Sequence, residues 1–398
     1  MAGDLRRCVA MGPAGVIQPG SNWDYMVNRS LYAGSGTPWA RLWADWPTMQ
    51  PEADLAPDAG SGAFRVASLD SQVAQANADG RPVVLTAYRF PRWANDTAWL
   101  TPEQDATYQL EDRKSEGADS AGRKSSSYKL PADLSANGAW GRWIDWLMWR
   151  YNRNNPSRKG VVTALEIFNE PNIQLWPQQG PSLDPADPYG AGPLTIQRAV
   201  ATMFQTAQSI QARYAGEPML AGPAVGDSTS ASRVRTAYST FTRALLDELA
   251  VRGFTADARF VWTHHNYTDT EYDQGAGSQL GRTTNRAAHV RRLLTGRWRG
   301  WPSADVNAPG VWLTEGGARL DVAAKNFSLT DPAAIRAKQA ELIARNWDRM
   351  YLGADGAGIG MVSVYLFYTA MGFDCGLCDL GGAPRPSYTS WGRLPAIQ

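Results

Sequence analysis

The sequence predicts an α/β protein folded as a (β/α)8 TIM barrel, a single domain over residues 1–398. Two observations point there. Short, continuously apolar runs alternate with amphipathic helical stretches, the pattern of a parallel sheet covered on both faces. Counting these strand–helix units gives about eight, the number that closes a barrel. A doubly wound open sheet is the competing topology. Its nucleotide-binding forms lose support because no G-x-G-x-x-G follows the first strand and no P-loop is present.

The strand candidates run in order. The first is expected near Val9 to Ile17 and the second at Ala40 to Trp43. Val83-Val84-Leu85-Thr86-Ala87-Tyr88, between Gly80 and Pro91, is a buried-strand pattern. Val161 to Phe168, Met219 to Leu220, Phe260 to His264, Val311 to Thr314 and Met361 to Phe367 continue the series. Between them lie helical stripes. Trp140, Trp143, Leu147 and Tyr151 form one; Ile196, Val200, Met203, Ala207 and Ile210 form another. Ile335, Leu342, Ile343, Trp347 and Met350 follow an Asp331-Pro332 start, with a gap at Lys338 and Gln339. All three stripes read as core packing. The basic helix carrying Arg286, Arg291 and Arg292 reads as a solvated face, with His289 exposed on it. Lys114 to Ser127 is a polar, low-complexity stretch that reads as a mobile loop, and no linker marks off a second domain.

Composition narrows the partner. Lys and Arg total 39 against 38 Asp and Glu, a formal net charge of +1. Such a balance gives no field to draw in nucleic acid or an anionic membrane surface, and no apolar run reaches membrane-spanning length. A neutral partner fits better, and a sugar is neutral. The 17 Trp outnumber both Tyr and Phe; an indole offers a broad apolar face and one N–H donor, which suits the C–H faces of a sugar ring. The three cysteines, Cys8, Cys375 and Cys378, are too few for a disulfide scaffold. Cys375 and Cys378 stand in a Gly-rich C-G-L-C without a nearby His or second pair, so a local disulfide or two thiols is expected rather than zinc. No cofactor and no metal are expected. The N-terminal MAGDLRRCVAMGPAGV lacks the continuous apolar segment of a leader, which reads as cytoplasmic as written, or secreted once a leader has been removed. Oligomeric state is not legible.

In such a barrel the chemistry sits where strands end. After the Val161 strand comes Phe168-Asn169-Glu170-Pro171-Asn172, and after the Val311 strand Thr314-Glu315-Gly316-Gly317. The Phe260 strand runs into His264-His265-Asn266-Tyr267, and the second strand into Trp43-Ala44-Asp45-Trp46-Pro47. Two glutamates therefore end two different strands. Glycoside hydrolysis needs such a pair across the scissile bond, one carboxyl holding a proton for the leaving oxygen and the other ionised.

Glu166-Ile167-Phe168-Asn169-Glu170-Pro171-Asn172 resembles the strand-four motif of clan A glycoside hydrolases, the Asn-Glu-Pro barrel enzymes, in the form most similar to family 39. The resemblance implies a retaining glycosidase in which Glu170 is the acid/base and Asn169 binds the substrate 2-hydroxyl. Trp312-Leu313-Thr314-Glu315 is similar to the strand-seven segment, which makes Glu315 the nucleophile. His265-x-Tyr267 resembles the strand-six His-x-Tyr whose Tyr hydrogen-bonds that nucleophile. Arg41 resembles the strand-two Arg that keeps the nucleophile ionised, and Phe90-Pro91-Arg92-Trp93 the strand-three loop of the sugar subsite. Arg41 should lower the Glu315 pKa by opposite charge, and the carboxyl groups should stand about 5–5.5 Å apart, the retaining separation.

Trp43, Trp46 and Trp93 are candidate ring platforms, and Trp176 a candidate for the leaving-group side. The family's strand-eight Trp is missing; Tyr365-Leu366-Phe367-Tyr368 stands there, with Phe367 or Tyr368 in its place. Glu166 falls on the same side as Glu170, four residues deeper, and reads as a buried support. His264 and His265 should point to opposite sides of their strand, which excludes joint metal binding. Asp374 and Asp379 flank the cysteine loop within reach of a substrate. The implied activity is hydrolysis of O-glycosidic bonds by double displacement on an oligosaccharide, polysaccharide or glycoside. Exo action on a xyloside, glucoside or arabinoside is favoured because long segments before Trp140 and after Trp176 could narrow the cleft. The rivals are an endo-acting hydrolase of the same clan and a carbohydrate-binding barrel without turnover.

Overall fold

A computed structural model describes residues 6–10, 25–53, 56, 66–95, 126–175, 195–229, 235–254, 259–272, 286–297, 311–352, 359–365, 367, 373–379 and 381–394. In chain order the elements are β1 (Arg6–Ala10), α1 (Tyr25–Ser35), β2 (Trp39–Asp45), α2 (Trp46–Met49), α3 (Val66–Ala78), β3 (Val83–Tyr88), α4 (Ala139–Arg150), β4 (Ala164–Glu166), α5 (Thr195–Ala212) and β5 (Met219–Val225). They continue with α6 (Tyr238–Val251), β6 (Phe260–His265), α7 (Tyr267–Glu271), α8 (Arg286–Arg297), β7 (Val311–Glu315), α9 (Leu320–Asn326), α10 (Pro332–Leu352), β8 (Ile359–Tyr365) and α11 (Pro386–Arg393). The eight strands pair in sequence order into one closed barrel. Every pairing is parallel, and β1 against β8 closes the ring. This is the predicted (β/α)8 TIM barrel.

The strands are buried on both faces, which is why they read as unbroken apolar runs. Outward residues such as Val83, Leu85, Leu165, Leu220, Leu313 and Val362 join the large core under the helices. Inward residues form a separate cluster: Cys8, Trp39, Val84, Ala164, Ala221, Val261, Trp312 and Met361, one from each strand. Two residues further along the strands the interior turns polar, with Arg41, Thr86, Glu166, Thr263 and Ser363, all buried. The barrel interior is thus an apolar plug at its N-terminal end with a polar layer above it.

The boundaries differ from the sequence expectation where local signals mislead. The first strand is Arg6–Ala10, and the remainder of the expected segment lies outside the described residues. The fourth strand keeps ladder pairing only over Ala164–Glu166, because the chain then turns into the Asn169–Asn172 loop. The fifth extends to Val225, through a Gly222-Pro223 pair that disguises it as a turn. The gap in the α10 stripe has a physical reason: Gln339 is fully buried, donates to Ala318 O at 3.0 Å and accepts from Ser387 Oγ at 3.0 Å. It is a satisfied polar residue in the core.

The basic helix α8 is not simply a solvated face. Arg286 is buried and donates to Thr268 Oγ1 at 2.6 Å and to Asp227 O. His289 is half-buried, its Nδ1 2.7 Å from Tyr238 Oη. No disulfide joins Cys375 and Cys378; both are buried, and burial raises both thiols above their ordinary pKa. Asp374 and Asp379 are held by Arg385, at 2.7 and 2.8 Å, and so brace the cysteine loop. Most of Lys114 to Ser127 lies outside the described residues.

Candidate active site

The Glu170 backbone is in the left-handed region at φ +44°, uncommon for a residue with a side chain and a place where strain collects at functional positions. Its N–H donates to Ala224 O at 3.0 Å. The neighbouring Asn172 completes the clamp: its Oδ1 accepts from Gly226 N at 2.9 Å and its Nδ2 donates to Gly226 O at 2.8 Å. Gly226 is thereby pressed against the glutamate. A Cβ on it would sit 2.8 Å from Glu170 Oε1 and 2.4 Å from Ile173 Cδ1, so a side chain there would push the glutamate carboxyl or Ile173 aside.

Glu315 ends β7, opposite. The β6–β7 ladder shifts register between His264 and His265, so that His265 pairs with Glu315 where Thr314 would be due. Such an irregularity breaks the two-residue alternation and re-aims a side chain. As a result the consecutive residues Thr314 and Glu315 both reach the barrel interior, Thr314 to Glu166 and Glu315 to Arg41.

Arg41, fully buried, organises the centre. Its Nη1 donates to Glu315 Oε1 at 2.6 Å, its Nη2 to Asn169 Oδ1 at 2.8 Å, and its Nε to Glu166 Oε2 at 2.9 Å. Burial alone would weaken this cation, but Glu166 and Glu315 outweigh it and hold the guanidinium firmly charged. Tyr267 donates its hydroxyl to Glu315 Oε2 at 3.0 Å. Burial and the Glu315 charge keep that phenol well above its ordinary pKa, so it stays a donor. His265 Nδ1 lies 2.8 Å from Glu170 Oε1 and 3.5 Å from Glu315 Oε2. Burial lowers its pKa, and Nδ1 donates to Glu170 or accepts from it according to which ring nitrogen carries the proton. His264 points the other way, towards the Tyr238 ring.

Burial pushes the Glu315 carboxyl above its ordinary pKa, and the Glu170 charge adds to this; His265 and Arg41 pull it back without overcoming the rise. The expected lowering by Arg41 is therefore present but outweighed. Donor atoms of Glu170, His265 and Glu315 all lie within 4.8 Å of one another. That set could ligate a cation, but the Arg41 guanidinium already stands at 2.6 Å from Glu315, and its charge opposes a second one there.

The sugar-platform candidates separate. Trp43 is partly exposed, 4.5 Å from the Arg41 guanidinium carbon and edge-on to Tyr88 at 4.7 Å, so it borders the site. Trp46 does not: it is fully buried, stacked on Trp143 at 5.6 Å, and belongs to the core. Trp93 packs edge-on against Trp46 at 5.5 Å and ties its N–H to Gln50 O, leaving part of the ring exposed. Trp176 lies outside the described residues. Phe367 is a correction as well. It is 1% exposed and packs on Tyr32 of α1 at 4.8 Å, on the outer side of the barrel.

Tyr365 is the inward aromatic at the end of β8, 6.3 Å from the Tyr267 ring, and sequence reading passed over it. The alternation Met361, Ser363, Tyr365 carried the signal. Thr86 and Thr314 were also missed, although each donates to Glu166, at 2.8 and 2.9 Å.

No protein-family model and no curated protein sequence matches the chain. Solved structures do. A family 39 glycoside hydrolase from Bacteroides cellulosilyticus WH2 is similar at TM-score 0.53 and 14% identity, over 98% of this chain and 63% of that one. A glucosidase from Croceicoccus marinus gives 0.57 and 12%, over 98% and 67%. Xylanase B from Clostridium stercorarium F9 gives 0.53 and 14%, over 98% and 97%. The chain thus spans less than two thirds of the family 39 protein. At these identities the likeness establishes the shared barrel.

Proposed function

We infer that the chain is a retaining glycoside hydrolase of the clan A type, one catalytic barrel over residues 1–398, with Glu170 as acid/base and Glu315 as nucleophile. The observation that carries the reading is the pair itself. One oxygen of each carboxyl lies within 4.8 Å of the other, Glu170 just after strand four and Glu315 at the end of strand seven. A separation of about 5–5.5 Å belongs to direct attack by the second carboxylate, whereas about 6.5–9.5 Å leaves room for an intervening water. The likeness to structures named as a glucosidase and a xylanase agrees with a carbohydrate substrate.

The roles follow from the contacts. Glu315 takes donors from Arg41 and Tyr267, which favour its ionised form and fix its direction. Glu170, more open to solvent at 15% side-chain exposure, exchanges protons with the leaving oxygen and then with water. Asn169 gives its oxygen to Arg41, so what it offers a ligand is its NH2, suited to a sugar hydroxyl. Trp43, Trp93 and Tyr365 are the proposed ring contacts. We keep exo action on a xyloside, glucoside or arabinoside as the finer proposal; an endo-acting hydrolase is the second reading, favoured by the likeness to a xylanase.

Glu315→Ala should abolish turnover of an activated aryl glycoside, with azide restoring part of it as the glycosyl azide. Glu170→Ala should slow substrates with poor leaving groups most. Near-normal turnover by Glu315→Ala would sink the nucleophile assignment, and an inverted first product by NMR would sink retention. Release of single sugars from one end of an oligosaccharide, against mid-chain cleavage, separates exo from endo.

A further inference from the structure

Glu166 has no place in the double displacement, yet the barrel interior is built around it. It is fully buried, and its Oε2 accepts from Arg41 Nε at 2.9 Å, from Arg41 Nη2, and from Thr86 Oγ1 at 2.8 Å. Its Oε1 accepts from Thr314 Oγ1 at 2.9 Å. Donors from β2, β3 and β7 converge on this one carboxylate. Arg41 in turn reaches Glu315 with its remaining Nη1 hydrogen bond, at 2.6 Å. One guanidinium thus bridges two buried carboxylates.

We propose that Glu166 is a positioning residue, the permanent counter-ion of Arg41, which holds the arginine's charge compensated while Glu315 changes its own. The inference rests on the glycosidase reading for the changing charge, but not for the ion pairs themselves. In that reaction the Glu315 carboxylate bonds to the anomeric carbon as the glycosidic C–O bond breaks and the Glu170 proton passes to the leaving oxygen. Water then adds to the anomeric carbon, gives a proton to Glu170, and Glu315 departs as carboxylate. Between the two steps Glu315 is a neutral ester. Without Glu166, Arg41 would then be a buried cation lacking a counter-charge, a strongly unfavourable state. With Glu166, the guanidinium stays paired through both steps.

A second consequence concerns Glu315 itself. An arginine serving one carboxylate would hold it strongly ionised and weakly basic. Sharing the guanidinium relaxes that hold. The two groups shift in opposite directions: Glu166, though burial opposes it, is held below the ordinary carboxylate range by Arg41, while burial and the Glu170 charge raise Glu315 above it.

The test titrates protein labelled with 13C at the glutamate carboxyls, followed by NMR, with Glu315 assigned through Glu315→Gln and Glu166 through Glu166→Asp. In Glu166→Gln, Glu315 should ionise about one pH unit or more lower, and Glu166→Asp should return it most of the way. The same variant should slow formation of the glycosyl-enzyme with an activated aryl glycoside by about tenfold or more. An unmoved Glu315 titration in folded Glu166→Gln overturns the proposal. Should that variant not fold, the unaltered protein decides: Glu166 must stay ionised at the pH where Glu315 takes its proton, and a Glu166 that protonates first overturns it. A protein that titrates as expected but hydrolyses no glycoside fails the functional reading and keeps the shared ion pair. An active enzyme with an unmoved Glu315 does the reverse.

Discussion

A carboxyl buried beside an arginine feels opposed pulls, and at Glu315 burial is the stronger. The ionised form is the one that can attack. Because the pKa is raised, activity should fall on the acid side at a pH above the ordinary glutamate value of 4.5. The acid limb of kcat/KM against pH reports this ionisation in the free enzyme; a limb at or below that value would mean that Arg41 outweighs burial. Asn169, Glu170, Tyr267 and Glu315 were legible because each lies at or just beyond a strand's end inside a short motif, and Arg41 through its place in the second strand; the structure gathers all five. Trp46 and Phe367 were misread for a common reason. Sequence gives an aromatic residue's place along a strand or loop, but whether it turns in or out depends on a register set by neighbouring strands. Counting on from Met361 in steps of two finds Tyr365 on the inner face, and Phe367 leaves it because the chain has by then left the ladder.

At the level of elements, α4 shows what the tryptophan content is for. Trp140 and Trp143 are buried, and Trp143 lies between Trp46 at 5.6 Å and Trp146 at 5.4 Å, nearly parallel to both. The stack ties α4 to α2, directly after β2. Trp143→Ala should lose about 3–5 kcal/mol of stability through the cavity it leaves, read from the denaturant midpoint at unchanged slope; a loss under about 1 kcal/mol would show that the stack closes over the gap. The helical stripe was readable because core-facing residues recur every three or four positions whatever lies opposite. The β6–β7 register shift was not readable. Nothing in His264-His265 or in Leu313-Thr314-Glu315 announces it, since it arises from how two strands meet, yet it brings both Thr314 and Glu315 inward.

For the whole molecule, stability against acid is the accessible measure. His264 is fully buried, and desolvation holds it well below its ordinary pKa of 6.5, so the folded protein keeps it neutral. Below that pH the unfolded chain takes up a proton there and the folded one does not. The stabilisation is therefore complete above pH 6.5 and drains away as pH falls. Asp269 acts in the opposite sense: burial raises it to about 6, so protonation near that pH favours the fold. Comparing His264→Phe with the unaltered protein isolates the histidine. The variant should lose less stability on acidification, by up to about 1.4 kcal/mol per pH unit below 6.5, and identical slopes would refute the assignment. The barrel itself was foreseeable from the count of strand–helix units, whereas its closure, β1 against β8, joins the two ends of the chain and leaves no local mark.

The eight inward residues at the N-terminal end, one per strand with Trp39 and Trp312 meeting at 5.5 Å, leave the barrel with a floor. On the proposed reading this governs traffic. A molecule that reaches the carboxylates must leave by the way it came, and the water that finishes the reaction uses that same opening. The departing half of the substrate must clear the doorway before water can enter. An acceptor alcohol that arrives first would take the sugar instead, so the same floor sets up a competition between hydrolysis and sugar transfer.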